Sequence, residues 1–207
     1  MKRDYLRVFD FTKDEFLSMI KRAIDLKAGK DALKYPLTCK SIGMIFEKPS
    51  TRTRISFEVA IYQLGGHPIY LSSKDLQLSR GETIKDTAMV FSRYLDAVII
   101  RTFSHSVIEE FAKWSTIPVI NALTDLHHPC QAMADMMTIF EKKGKLEGIK
   151  IAYIGDGNNV ANSLIEASAL TGVNIFLATP QGCEPLEEIL QRAKTMTGVN
   201  LSDNAFE

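Results

Sequence analysis

Four consecutive residues, Ser50-Thr51-Arg52-Thr53, carry the densest chemistry in the chain. Three hydroxyls and a guanidinium are hydrogen-bond donors whose fork and spacing suit a phosphate. None of the four can abstract a proton. The apolar run Ile42 to Phe46 leads into them, and Ile55, Val59 and Gln63 follow at one-turn spacing, with Ala60 and Leu64 alongside. The stretch therefore sits at a strand-to-helix turn with Ser50 as N-cap. Such a turn offers unpaired backbone N–H groups and the positive end of a helix dipole, which together bind anions. An ordinary capped surface helix is the plainer alternative, but it leaves Arg52 and Arg54 against the dipole without a reason.

Other polar residues sit at comparable places. Arg101 ends the apolar run Ala97 to Ile100, a costly position unless the charge is paired, either in a salt bridge at the sheet rim or by a ligand. Gln77 lies in the polar segment Ser72 to Glu82, where it carries no information alone. His127-His128-Pro129-Cys130-Gln131 opens a helix. No carboxylate or further histidine stands at ligand spacing there, so the stretch does not read as a zinc site. Cys130 at a helix start reads as packed rather than nucleophilic. His128 and Gln131 are suited to hydrogen bonds toward a substrate carbonyl and amide. Gly155-Asp156-Gly157-Asn158-Asn159 follows a strand and opens a helix, as a dinucleotide loop does. Its third glycine is missing, and the next strand ends at Thr179 rather than at an acid for a ribose. The asparagines suit a polar small molecule better.

The elements that must position these groups alternate along the chain. Thr12 and Glu15 form a capping box ahead of a helix with Phe16 and Ile20 on its apolar stripe. Strands are predicted at 41–46, 67–71, 97–100 and 117–120, with helices at 51–64, from Ile84 to Leu95, after a capping box at Ser106 and Glu109, and from Pro129. The glycine-bounded break Gly144 to Gly148 then marks a boundary between domains 1–145 and 146–207. Beyond it come strands at 149–154 and 173–178, helices at 159–170 and 185–196, and the beginning of a strand at Val199. The fold class expected is α/β, two doubly wound parallel-sheet domains with right-handed crossovers. The second domain is incomplete, the chain reading as the front of something longer. Ligands of such sheets bind beyond the carboxyl ends of the strands, so five loops are expected to face one interdomain cleft.

Composition narrows the function. Lysine plus arginine and aspartate plus glutamate number 25 each in 207 residues, which gives no electrostatic footprint for nucleic acid or an anionic membrane. No apolar run reaches a membrane span and the N-terminus opens no signal peptide. Cys39, Cys130 and Cys183 are odd in number and far apart, fitting free thiols in a reducing, cytoplasmic setting.

Ser50-Thr51-Arg52-Thr53, Gln77, Arg101-Thr102, His128-Pro129-Cys130-Gln131 and Gly155-Asp156-Gly157-Asn158-Asn159 occur in an order that resembles the ornithine carbamoyltransferases. Phe46-Glu47-Lys48 also resembles that branch, and the aspartate branch lacks the Gly-Asp-Gly-Asn-Asn loop. The resemblance covers essentially the whole chain. It implies transfer of a carbamoyl group from carbamoyl phosphate to the side-chain amine of L-ornithine, giving citrulline and phosphate. Arg101 and His128 would then stabilise the carbamoyl oxyanion, Ser50, Thr51, Arg52 and Thr53 hold the phosphate, Gln131 fix the carbamoyl NH₂, and Asn159 contact ornithine. It further implies no metal or organic cofactor, and a homotrimer in which the Gln77 loop completes a neighbour's carbamoyl-phosphate site. The family's Asp…Ser-Met-Gly and His-Cys-Leu-Pro loops do not occur here, so neither Cys130 nor Cys183 inherits the family's catalytic cysteine role. Two alternatives stay open: a carbamoyltransferase for putrescine or aspartate, and a catalytically incompetent phosphate-binding fragment.

Overall fold

The computed structural model describes residues 2–30, 35–72, 81–196 and 199–202. Packing divides the chain into two units, one of residues 1–6 and 32–125, the other of residues 7–31 and 126–207.

The first unit is a parallel sheet of β1 (Ser41–Phe46), β2 (His67–Ser72), β3 (Ala97–Arg101) and β4 (Val119–Leu123) in the order β2-β1-β3-β4. Burial on both faces explains why β1 and β3 read as unbroken apolar runs. Ile45, Val98, Ile100 and Val119 pack on one side with Ala88, Ile108 and Phe111, from α3 (Ile84–Tyr94) and α4 (His105–Trp114). Ile42, Met44, Phe46, Ile99 and Ala122 pack on the other with Ile61 and Phe57 of α2 (Thr51–Gln63). The sheet is thus covered by helices on both faces, as the alternation predicted. The order reverses between β1 and β3, since β1 leads outward to β2 while β3 leads the other way to β4.

Two expectations are corrected here. The strand predicted at 117–120 runs instead over Val119–Leu123, past a fully buried Asn121. A polar side chain is tolerated there because Asn121 Nδ2 donates to the Leu6 carbonyl at 2.8 Å, and Tyr5 bridges to Ile120. The capping box at Ser106 and Glu109 does not form. The helix begins earlier, at His105, whose ring is buried and lies 3.0 Å from the Thr124 hydroxyl, drawing the first turn toward the interior.

The second unit holds a parallel sheet in the order β5-β6-β7: β5 (Lys150–Ile154), β6 (Asn174–Ala178) and β7 (Val199–Ser202). One face, with Ile151, Tyr153, Ile175 and Leu177, belongs to a core shared with α1 (Lys13–Lys27), α5 (Pro129–Lys143), α6 (Asn159–Thr171) and α7 (Glu187–Lys194). Ile154 and Phe176 are exposed. The capping box at Thr12 and Glu15 starts α1 as expected, and Gly144, at φ 74°, ends α5.

Helix α6 is buried along its whole length from Ala161 to Thr171. Four of its polar side chains are internally spent. Asn162 Nδ2 donates to the Leu126 carbonyl at 3.1 Å, and Ser163 donates to the Asn159 carbonyl at 2.9 Å. Thr171 donates to the Ala167 carbonyl at 2.7 Å. Glu166 accepts from the Val8 N–H at 2.9 Å and the Phe9 N–H at 3.4 Å, in the short 3₁₀ turn Val8–Asp10. Burial pushes the Glu166 carboxyl up to about 7, against the pull of those two donors and of Arg7.

Candidate functional site

In an open parallel sheet, the place where strand order reverses leaves a crevice at the carboxyl ends. In the first unit that place is the exit of β1 and β3, where Phe46 pairs with Arg101 as the last rung. The β1 exit runs directly into α2. Ser50 caps the helix, its Oγ accepting from the Thr53 N–H at 3.3 Å and donating to Thr53 Oγ1 at 2.9 Å. Thr51 and Arg52 occupy the first two helical positions, where a helix provides no acceptor for their N–H groups.

Arg101 reaches this turn from β3. Its Nε donates to the Lys48 carbonyl at 3.1 Å and its Nη1 lies 3.5 Å from Thr53 Oγ1. Both partners are neutral oxygens. The side chain is half-buried, and burial lowers its affinity for the proton from the ordinary arginine value. Among the described residues no carboxylate pairs with it. A desolvated guanidinium held by neutral oxygens beside a helix N-terminus is arranged to receive an anion.

The two arginines of the first turn separate clearly. Arg54 lies 3.6 Å over the Tyr70 ring and its Nε donates to Glu58 at 3.1 Å, so its charge is used within the fold. Arg52 is exposed and makes no ion pair among the described residues. An open depression of about 450 Å³ beside the turn is lined by Ser50, Thr51, Arg54, Ile55, Glu58 and Tyr70.

Two sequence models match the chain. One is aspartate/ornithine carbamoyltransferase, carbamoyl-P binding domain, over residues 3–141; the other is aspartate/ornithine carbamoyltransferase, Asp/Orn binding domain, over residues 147–204. The chain belongs to the aspartate/ornithine carbamoyltransferase family. Among its relatives, an ornithine carbamoyltransferase of Anoxybacillus flavithermus is 54% identical over 194 residues, which is 93% of this chain and 62% of that one. One from Listeria monocytogenes is 55% identical over 94% of this chain and 61% of its own. Ornithine carbamoyltransferase structures from Pyrococcus furiosus (48% identical, TM-score 0.89) and Thermus thermophilus (36% identical, TM-score 0.91) superpose on 96% and 99% of this chain. Those alignments take in 66% and 69% of the two structures. The chain thus spans about three fifths of the length of these curated relatives.

The carbamoyltransferase residues expected elsewhere lie in the second unit. His128 is the N-cap of α5, with Pro129 at the first helical position, and its N–H donates to Ser163 Oγ at 2.8 Å. Gln131 is exposed, and its amide donates to Asp135 one turn on at 2.9 Å. Burial raises the Asp135 carboxyl above its ordinary value. Burial also pushes the Cys130 thiol up to about 12, so it is inert at neutral pH.

In the Gly-Asp-Gly-Asn-Asn loop, Asn158 is the cap of α6: its Oδ1 accepts from the Val160 and Ala161 N–H groups at 2.9 and 3.4 Å. Asn159 is the first helical residue. Gly155 takes φ 149°, and Gly157 packs so closely on the 183–185 segment that an added Cβ would meet the Pro185 nitrogen at 2.1 Å. Both glycines have backbone reasons to be there. Gln77 lies outside the described residues.

Sequence reading named Glu47 and Thr102 within motifs but missed the contact between them. The Thr102 hydroxyl donates to the Glu47 carboxylate, and the Glu47 N–H donates to the Arg101 carbonyl at 2.9 Å. The sequence held only a faint sign of this, a carboxylate and a hydroxyl each one residue past a strand end. No helix among the described residues is long and apolar enough to cross a membrane.

Proposed function

We propose that this chain carries the carbamoyl-phosphate half, and the opening part of the amino-acid half, of an ornithine carbamoyltransferase. The observation that carries the reading is Arg101: half-buried, held among the described residues by neutral oxygens alone, and set against the Ser50–Thr53 helix start. Carbamoyl phosphate supplies the missing anion. In this reading Ser50, Thr51, Arg52 and Thr53 hold the phosphate, Arg101 and His128 are the catalytic residues that stabilise charge on the carbamoyl oxygen, and Gln131 fixes the carbamoyl NH₂. To do so Gln131 exchanges its present bond to Asp135 for the substrate. Gln77 is assigned to carbamoyl phosphate and Asn159 to ornithine by resemblance alone. Residues 1–145 serve as the carbamoyl-phosphate domain and 146–207 as part of the ornithine domain, in a cytoplasmic homotrimer. The family matches over residues 3–141 and 147–204 support that division.

The chemistry balances without redox change. The neutral δ-amine of ornithine attacks the carbamoyl carbon, the bond from that carbon to the bridging phosphate oxygen breaks, and its electron pair leaves on phosphate. The proton that the amine sheds as citrulline forms passes to the departing phosphate. Donors aimed at a developing oxyanion lower such a barrier by about 3 kcal/mol each. Calorimetric titration with carbamoyl phosphate, beside a colorimetric citrulline assay offering ornithine, putrescine and aspartate, tests the proposal. Binding that vanishes in Arg52→Ala, with citrulline made from ornithine, is expected. Unchanged affinity in a folded Arg52→Ala protein would sink the phosphate assignment, and product from putrescine or aspartate alone would redirect the amine assignment.

A further inference from the structure

Beyond Phe46 and Arg101, the last rung between β1 and β3, the two strand exits remain tied by three more bonds. The Glu47 N–H donates to the Arg101 carbonyl at 2.9 Å, and Arg101 Nε donates back to the Lys48 carbonyl at 3.1 Å. The third bond joins side chains, the Thr102 hydroxyl donating to the Glu47 carboxylate. Thr102 is 2% exposed, and its own N–H donates to the Leu123 carbonyl at 3.1 Å, so its hydroxyl is fixed from the β4 side. Glu47 itself is exposed. Water would satisfy such a carboxylate at no cost, yet it is committed to a buried neutral hydroxyl beside the Arg101 guanidinium. Among the described residues no cation pairs with it.

We propose that Glu47 is a positioning residue for the Arg101 guanidinium, an inference that rests on the carbamoyl-phosphate reading of the cradle. Its carboxylate, gripped by Thr102, and its N–H, bonded to the Arg101 carbonyl, fix the backbone at Glu47. The next residue's carbonyl, in the Lys48–Pro49 peptide, is thereby presented to Arg101 Nε. With Nε spent on a fixed carbonyl, the guanidinium plane is set and its η nitrogens are directed to Thr53 and the phosphate cradle. Glu47 touches no substrate; it acts through Arg101. Freeing the peptide leaves Arg101 present but unaimed, and charge-assisted recognition of a phosphate depends on that aim.

The test is carbamoyl-phosphate affinity by calorimetry on six proteins: wild type, Glu47→Ala, Glu47→Gln, Thr102→Val, Arg101→Ala and the double variant Glu47→Ala/Arg101→Ala. Loss of one directional charge-assisted contact corresponds to about tenfold in affinity, and that is the loss expected for Glu47→Ala and Thr102→Val. Glu47→Gln keeps an acceptor for the Thr102 hydroxyl and should bind within about twofold of wild type. The double variant should bind no more weakly than Arg101→Ala, because a residue acting only through Arg101 has nothing left to position. Additive losses in the double variant, or a glutamine variant as weak as the alanine, overturn the proposal. If Glu47→Ala fails to fold by circular dichroism, Thr102→Val and Glu47→Gln still decide it. Failure of the wild type to bind carbamoyl phosphate defeats the functional reading itself. Wild-type binding that Glu47→Ala leaves intact defeats only the positioning role.

Discussion

The start of α2 and the start of α6 are built from similar parts and end in opposite states. Each is a turn between a parallel strand and a helix, capped by a small polar residue and lined with further polar side chains. At α6 the cap and the buried polar side chains of Asn162 and Ser163 are met internally. Asn158 caps two N–H groups, Tyr153 donates to the Asp156 carbonyl at 2.8 Å, and Asn162 and Ser163 find main-chain partners. At α2, among the described residues, a half-buried arginine is met only by neutral oxygens, and a second arginine stands exposed beside it. Polar residues at a strand exit are therefore weak grounds for a binding site. Charge left uncompensated after every local partner is counted is a much stronger one.

Removing uncompensated charge should produce the largest effects: first Arg52→Ala, in which binding is expected to vanish, then Arg101→Ala. Arg101→Ala discards a guanidinium whose contacts to an anion are charge-assisted, worth about 1.5–3 kcal/mol each, or one to two decades of affinity. Arg101→Lys keeps the charge but not the fork, and should recover only part of that loss. Titration with carbamoyl phosphate reads both. A lysine variant that binds like wild type would erase the contrast, since a generic positive charge would then suffice.

Next in size is Gly157→Ala, a change at the closed turn. A Cβ there meets the Pro185 nitrogen at 2.1 Å and the Glu184 carbonyl carbon at 2.3 Å, both backbone atoms that cannot rotate away. Overpacking of this kind costs about 1–3 kcal/mol and should lower the melting temperature by several degrees. Carbamoyl-phosphate affinity at 25 °C should hold if the α2 turn is self-contained. Loss of binding at full stability would show that the two turns share one function.

Glu166 provides a third effect, and its sign follows from linkage. Its carboxyl is raised by burial from 4.5 to about 7, so the folded chain binds a proton more readily than the unfolded chain does. The contribution to stability is fully present below pH 4.5, falls as pH rises toward 7 and is lost above it, a change on the order of 3 kcal/mol across that window. Arg7 and Asp10 face the group from the Val8–Asp10 turn and modulate it in opposite directions. Denaturant melts at pH 5 and pH 8 should therefore differ less in Glu166→Gln than in wild type. An equal slope in both proteins would remove Glu166 as its source.

The comparison also explains what could be read from sequence. Sheet alternation was legible because β1 and β3 are buried on both faces and show continuous apolar runs. The strand-to-helix turn was legible because an apolar run ends just before Ser50, a natural cap, and helical spacing begins just after it. The rest depends on distant partners. Nothing near Glu166 announces that its oxygens will meet Val8, 158 residues away, nor that the polar side of α6 will be buried. The strand through Asn121 was cut short because its amide is satisfied by Leu6, far off in sequence. Packing also joins α1 with α5 and α6 in one unit, whereas the glycine-bounded break at 144–148 is the local mark that sequence offers.

The smallest predicted effect separates the two arginines of one helix turn. Arg52 and Arg54 are alike in sequence, and an anion-binding helix start has a use for both. The structure assigns Arg54 elsewhere, over Tyr70 and bonded to Glu58 one turn on. An exposed i,i+4 pair contributes about 0.3–0.5 kcal/mol, and an exposed cation–π contact about 0.5–1 kcal/mol. Arg54→Ala should therefore lower stability by about 1 kcal/mol and change carbamoyl-phosphate affinity by less than about threefold, mainly through the lost long-range charge. Raising the salt concentration should shrink that difference further, while leaving most of the Arg52→Ala loss in place, because direct contacts are screened less than distant charges. An Arg54→Ala loss as large as that of Arg52→Ala, and equally resistant to salt, would mean that Arg54 leaves Tyr70 when the anion arrives.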